Sequence, residues 1–183
     1  MQIKSKKESS NLIKNLNLNR VPELVLNTYN ENEITKFCEA NKSNLYILRD
    51  LVNPNGSYYF CKTKEEVLKN AINYKGAFSL AISCFAYDNR ILVGDILITK
   101  ENITITARND KDANHRNIYE NPLINLTTTL EDDRLWSIKG CKEIITYVID
   151  HNLYNIIVEF VVYNKNVGTN NEKVLIVELR TNY

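Results

Sequence analysis

Tyr154-Asn-Ile-Ile-Val-Glu159-Phe-Val-Val162 and, after a polar loop over 164–172, Val174-Leu-Ile-Val-Glu178-Leu-Arg180-Thr-Asn182 form the stretch whose reading decides the fold. Two runs dense in branched apolar residues, parted by polar ones, predict an antiparallel hairpin with strands over 156–163 and 173–180. Along the second strand, alternation puts Ile176, Glu178 and Arg180 on one face, with Asn182 in line. Symmetric pairing about the loop sets 163 opposite 174, and therefore Glu159 opposite Glu178. Carboxylates facing each other on a sheet repel, and both are flanked by residues that belong in a core. Three arrangements relieve the repulsion. A divalent cation held by both glutamates takes Asn182 as a neutral oxygen ligand, Arg180 or another cation reaches between them, or the register is offset by one.

Working outward, Cys141, Ile144, Ile145, Val148 and Ile149 recur at helical spacing and predict a helix that stops near His151-Asn152. Further back, strands are expected over 78–87, 91–98 and 102–108, the first two joined by a hairpin turn at Asp88-Asn89. Thr63-Lys-Glu-Glu66 is a capping box opening a helix with Val67, Leu68, Ala71 and Ile72 as its buried stripe. Before it, Asn53-Pro-Asn-Gly56 is a turn between strands Leu45–Leu48 and Ser57–Cys61, and Ile34, Phe37 and Cys38 face one side of a helix over 31–41. Residues 1–30 read as polar, with a short helix and a linker around Pro22. The pattern is α+β: mostly antiparallel strands with covering helices. It divides into a polar segment 1–30, a small subdomain 31–76 and a larger one 77–183.

Composition bounds the function. Among 183 residues, 23 Lys+Arg against 22 Asp+Glu leave a net charge of +1, without the basic excess that non-specific nucleic-acid binding needs. No apolar run approaches the ~20 residues that span a bilayer. The first residues, Met1-Gln-Ile-Lys-Ser-Lys-Lys, carry no apolar leader, and the four cysteines form no CxxC; a cytoplasmic protein with reduced, buried thiols is expected. Two histidines and scattered cysteines make a zinc site unexpected. The 27 asparagines read mainly as coding bias, set at turns and helix ends where Asn tolerates left-handed backbone.

Three further places can carry chemistry. Arg108, His115 and Arg116 lie in or beside a long polar loop, and guanidinium forks match phosphate or another anionic substrate, although a solvated surface is the plainer reading. Gly94-Asp95 interrupts an apolar strand and reads as a bulge with an outward Asp or as a ligand position. Trp136 reads as a packing anchor.

The final helix and hairpin resemble the end of an ATP-grasp domain, in which a strand with an acidic residue, a loop and a strand ending Glu-x-Asn follow an amphipathic helix. The segment Leu45-Tyr-Ile-Leu-Arg49-Asp50, the Asn-Gly turn, Tyr58-Tyr-Phe-Cys-Lys62 and the capped helix resemble that family's first small subdomain. The resemblance covers residues 31–183, in pattern more than in identity. It implies ATP and Mg2+ as cofactors, with Arg49, Lys62, Gly56 and Arg108 at the nucleotide and Glu159, Glu178 and Asn182 at the metal. Arg180, Arg116 and His115 become the catalytic candidates. The implied chemistry is phosphoryl transfer to a carboxylate, giving an acyl phosphate for ligation to an amine. The alternatives are a non-catalytic binding or regulatory module of the same fold and an unrelated α+β protein of other activity. The sequence departs from the family in three ways: Arg49 stands where a lysine is usual, the glycine loop is reduced to Gly56, and Arg180 takes the asparagine's place with Asn182 two residues on.

Overall fold

The computed structural model describes residues 2–53, 56–83, 90–109, 117–164 and 172–181. Its described elements follow as α1 (Lys6–Asn15), β1 (Glu23–Leu26), α2 (Glu31–Ala40), β2 (Tyr46–Asp50), β3 (Tyr58–Cys61), α3 (Lys64–Ala71) and β4 (Phe78–Ile82). Then come β5 (Arg90–Ile98), β6 (Ile103–Arg108), α4 (Asn117–Glu120), β7 (Ile124–Thr128), α5 (Asp133–Trp136), α6 (Cys141–Asp150), β8 (Ile157–Asn164) and β9 (Glu172–Arg180). They build two antiparallel sheets, ordered β1-β4-β2-β3 and β7-β6-β5-β8-β9. The α+β reading holds.

The chain separates into two compact units, one holding the four-stranded sheet and the other the five-stranded sheet. In the first, Leu26, Tyr46, Leu48, Cys61, Phe78 and Leu80 turn one sheet face toward Ile34 and Cys38 of α2 and Val67 and Ala71 of α3. The capping box forms: the Thr63 hydroxyl accepts from the Glu66 amide, and the Glu66 carboxylate accepts from the Lys62 amide at 2.7 Å. Asn30 caps α2, its side-chain oxygen accepting from the Glu33 amide while its side-chain amide donates to the Glu33 carboxylate. Ile72, expected in the buried stripe of α3, is 63% exposed because it lies past the helix end.

In the second unit, α6 lays Cys141, Ile144, Ile145 and Val148 on Leu92, Ile96, Ile105, Val158, Phe160, Val162, Val174, Ile176 and Leu179. Ile149, expected with them, is exposed at the edge of that stripe. Ile3, Ile13 and Leu18 join the same core, so the polar N-terminal stretch supplies packing residues. Asn19 and Ser9 bind the outer edge of β9: the Ile176 amide donates to the Asn19 carbonyl, the Asn19 amide group to the Val174 carbonyl, and the Leu179 amide to the Ser9 hydroxyl.

Several expectations need correction. β4 and β5 do not form a hairpin; β4 pairs with β1 and β2, whereas β5 pairs with β6 and β8. Both runs are mostly apolar, and pattern alone cannot tell which neighbour each will take. The turn assigned to Asp88-Asn89 lies outside the described residues. The irregular stretch 109–138 contains β7, and the linker near Pro22 contains β1; both are short edge strands with little contrast between faces. Trp136 is half exposed, its indole N–H donating to the Leu130 carbonyl, so it is no core anchor. The described non-glycine residues with positive φ are Asn17, Asn152 and Asn155, which fits the left-handed tolerance of asparagine.

Candidate functional site

Strand register assembles a polar row on the face of the five-stranded sheet turned away from α6. Asn125 pairs with Thr106, Thr106 with Asp95, Asp95 with Glu159, and Glu159 with Glu178. The two glutamates do face each other, but by a different route from simple symmetry. Near the loop Tyr163 pairs with Lys173, and a bulge between Glu159 and Phe160 leaves Val177 as the extra residue. Alternation therefore breaks at Val177. Ile176 stays in the core with Leu179, while Glu178 and Arg180 fall on the opposite side, so Ile176 does not share their face.

Arg180 lies between the carboxylates. Its Nε donates to Glu159 Oε1 at 2.8 Å and its Nη2 to Asp95 Oδ2 at 2.7 Å. The Tyr119 hydroxyl donates to the same Asp95 oxygen and accepts from Nη2, and the guanidinium carbon stands 5.8 Å from the Tyr119 ring centre. Asp95 is 4% exposed and the Arg180 side chain 17%. Burial by itself lowers the Arg180 value, yet Glu159 and Asp95 outweigh it and hold the guanidinium above its ordinary range. Tyr119 is raised as well, first by burial and then by its bond to Asp95.

Tyr119 carries no signal in the sequence, whereas the Gly94-Asp95 pair inside an apolar strand leaves a bulge with an outward Asp and a ligand position equally open. β5 is regular there, and Asp95 is buried. Gly94 is instead a point of close approach: a Cβ would stand 2.7 Å from Ala107 Cβ and 2.8 Å from Phe160 Cζ.

The other candidates are not paired into this row. Arg108, on β6, donates to the Asn121 carbonyl at 2.8 Å. On the four-stranded sheet Arg49 pairs with Tyr58 and Ser79 on the face opposite α2 and α3, half-buried, with no hydrogen bond or ion pair of its side chain among the described residues. The Ser79 hydroxyl beside it is buried without a hydrogen-bond partner among the described residues. Lys62 is exposed. Gly56 is needed for a different reason from a phosphate cradle: a Cβ there would stand 2.4 Å from Asp50 Cβ, and Asp50 accepts the Val52 and Asn53 amides. His115, Arg116 and Asn182 lie outside the described residues. A concavity of about 690 Å³ at the β5–β6 turn, lined by Lys100, Glu101, Asn102 and Leu130 among others, includes none of the row.

Among the described residues, the carboxylates of the row are served by an arginine. A guanidinium already bridges Asp95 and Glu159, and no group of three or more His, Cys, Asp or Glu side chains suited to a metal occurs among the described residues. No described helix is long and apolar enough to cross a membrane.

No protein-family model matches the chain, and no curated protein matches it. Solved structures do. The D-alanine-D-alanine ligase of Coxiella burnetii aligns with 96% of the chain and 47% of its own length at 15% identity and a TM-score of 0.55. N5-carboxyaminoimidazole synthetase of Staphylococcus aureus aligns with 98% of the chain and 44% of its own at 13% identity and 0.58. An N5-carboxyaminoimidazole synthase of Aspergillus clavatus, solved with ADP, gives 97%, 44%, 10% and 0.55. The chain spans about half the length of the structures it matches. The chain shares the fold of these proteins, the ATP-grasp fold.

Proposed function

We propose that the chain is a nucleotide-binding module on an ATP-grasp-like fold that does not carry out ligation. The observation that carries this reading is Arg180 seated between Asp95 and Glu159. Those carboxylates hold a fixed organic cation, and phosphoryl transfer depends on charge neutralisation at the transferring group by ions that are free to be positioned there. ATP as ligand is taken from the fold. Arg49 supports it: a half-buried guanidinium without a described protein partner, beside a buried hydroxyl without one, suits a phosphate oxygen. Lys62 is the second proposed phosphate contact, as a mobile point charge. An active carboxylate-amine ligase is the competing reading from fold alone.

Thermal unfolding with ADP and ATP tests the binding half. A ligand at about 100 times its Kd stabilises the native state by about 2.7 kcal/mol. The expected result is a dose-dependent rise in melting temperature that Arg49→Gln weakens. No rise with either nucleotide refutes it. Phosphate release from ATP, measured with carboxylate and amine mixtures, is expected to stay at background; turnover refutes the non-catalytic half.

A further inference from the structure

We propose that the concavity at the β5–β6 turn is a docking site for a basic amphipathic segment of a partner protein, whose apolar side chains enter between Leu130 and Ile149 and whose lysines or arginines meet Glu101 and Glu131. The site lies wholly within the unit of the five-stranded sheet and does not depend on nucleotide binding.

Beside the turn the chain leaves about 690 Å³ of open space, within the ~300–1,000 Å³ of ligand sites. Its walls are formed in advance. The Thr99 amide donates to the Asn102 carbonyl, the Glu101 and Asn102 amides donate to the Thr99 hydroxyl, and the Asn155 amide ties the loop after α6 to the Ile98 carbonyl. An ordered wall loses little freedom when a partner arrives. Leu130 and Ile149 line the space and are exposed, and Trp136, its indole N–H held by the Leu130 carbonyl, extends the apolar surface beyond it. Isolated exposed hydrophobics are ordinary, but large ones gathered about one concavity mark an interaction surface, and tryptophan is a favoured anchor there. A patch that runs past the concavity fits a peptide better than a small molecule. The charge selects which peptide. The chain as a whole carries +1, whereas the segments around the concavity, 98–103, 129–136 and 149–155, hold five acidic side chains against two basic ones. Arg134 is bound to Asp132, which leaves Lys100 against Glu101, Glu131, Asp133 and Asp150. A hydrogen bond from Thr129 holds the Glu131 carboxyl below its usual range, so that charge persists. Helix α6 ends here with no basic residue in its last turn, and its dipole adds a further negative end. A surface apolar at the centre and negative around it suits lysines or arginines flanking leucine-like side chains.

The probe is a synthetic amphipathic helix of leucine and lysine, with the same helix carrying glutamate for lysine as its control. Trp136 is the chain's single tryptophan, so its emission reports on the site directly. The leucine–lysine helix is expected to shift that emission saturably, and the leucine–glutamate helix to bind at least about tenfold more weakly. Glu101→Gln with Glu131→Gln is expected to weaken the leucine–lysine helix by about threefold to tenfold. Leu130→Ser with Ile149→Ser is expected to weaken it by about tenfold or more. Lys100→Glu removes a repelling charge and is expected to tighten binding about threefold. All five side chains are exposed, so circular dichroism is expected to show the parent fold. No saturable shift, equal binding of the two helices, or unchanged affinity in a folded Leu130→Ser, Ile149→Ser chain overturns the proposal. If that variant does not fold, Lys100→Glu decides, and unchanged or weaker binding overturns it. Two other occupants are outcomes as well. Decylamine competing at the helix's own affinity assigns the site to a small cation and overturns a peptide partner. Self-association of the chain, seen by sedimentation and lost in Leu130→Ser with Ile149→Ser, assigns it to a second copy and does the same.

Discussion

Replacing Arg180 by methionine removes the charge while keeping much of the apolar stem, and its cost can be worked from the geometry. Two ion pairs at 2.7 and 2.8 Å are lost, and Asp95, 5% exposed at its side chain, and Glu159, 14% exposed, remain as neighbouring carboxylates across β5 and β8. At an effective dielectric of ~20, a unit pair ~4 Å apart interacts by about 4 kcal/mol before desolvation is counted. Desolvation offsets much of that, but breaking a buried pair by removing one partner costs about 3–5 kcal/mol, because the partner's charge stays buried. A domain of ordinary stability has only about 5–15 kcal/mol to lose. With a urea slope of about 1–3 kcal/mol/M, the midpoint for the five-stranded unit should fall by more than about 1 M. Circular dichroism would follow the transition, and hydrogen exchange at β8 and β9 amides would localise it. Because the pair is buried, added salt should hardly change the deficit. Neutralising the partners as well, in Asp95→Asn, Glu159→Gln, Arg180→Met, should recover most of it. A single variant within about 1 kcal/mol of the parent, or a triple variant no more stable than the single, would refute the reasoning.

Three other predictions concern separate parts of the chain. Gly94→Ala places a Cβ 3.0 Å from the Thr106 carbonyl oxygen and closer still to Ala107 and Phe160, so it should cost about 1–3 kcal/mol in urea unfolding; a neutral result would mean the strands part easily there. Thr63→Ala removes the cap of α3 and should cost about 1 kcal/mol, with faster exchange of the Glu66 amide as its local sign. Burial pushes the Cys141 thiol from 9.0 up to about 12. In that range the unfolded chain binds fewer protons than the folded one, so this contribution is whole below about pH 9 and is lost as the pH climbs toward 12. Cys141→Ala should flatten the decline in stability over that window, and the folded thiol should resist a disulfide reagent at about pH 8.

The parts of the fold that were legible in the sequence are those where one face is strongly apolar over many residues. α6, β8 and β9 could be placed to within a residue or two because a register slip would carry a whole set of Val, Ile and Leu out of the core. β1 and β7 were missed because four or five residues at a sheet edge bury too little to leave a pattern. The pairing of β4 was missed because which sheet a strand joins is settled by the packing of distant residues, not by its own alternation. At the site, the opposition of Glu159 and Glu178 was readable, and Arg180 was among the cations that might relieve it. Asp95 was not decidable from the sequence. A buried aspartate and an outward one differ only in what stands across from them, and here that is a guanidinium 85 residues away together with Tyr119 on a one-turn helix. The bulge at Val177 left no compositional mark.

The seam between residues 3–19 and β9 has a consequence for how the chain reaches its native state. Ile3 meets Thr181 across 178 residues, Ser9 meets Leu179 across 170, and Asn19 meets Val174 across 155. Contacts so distant in sequence raise contact order and slow folding. On a ribosome, the five-stranded unit cannot close until β9 has emerged, whereas all the residues of the four-stranded sheet precede residue 84 and can pair much earlier. Until closure, the outer edge of β9 is an open template for strand addition. Asn19 and Ser9, already made when β9 emerges, are then in place to cover that edge as the strand docks.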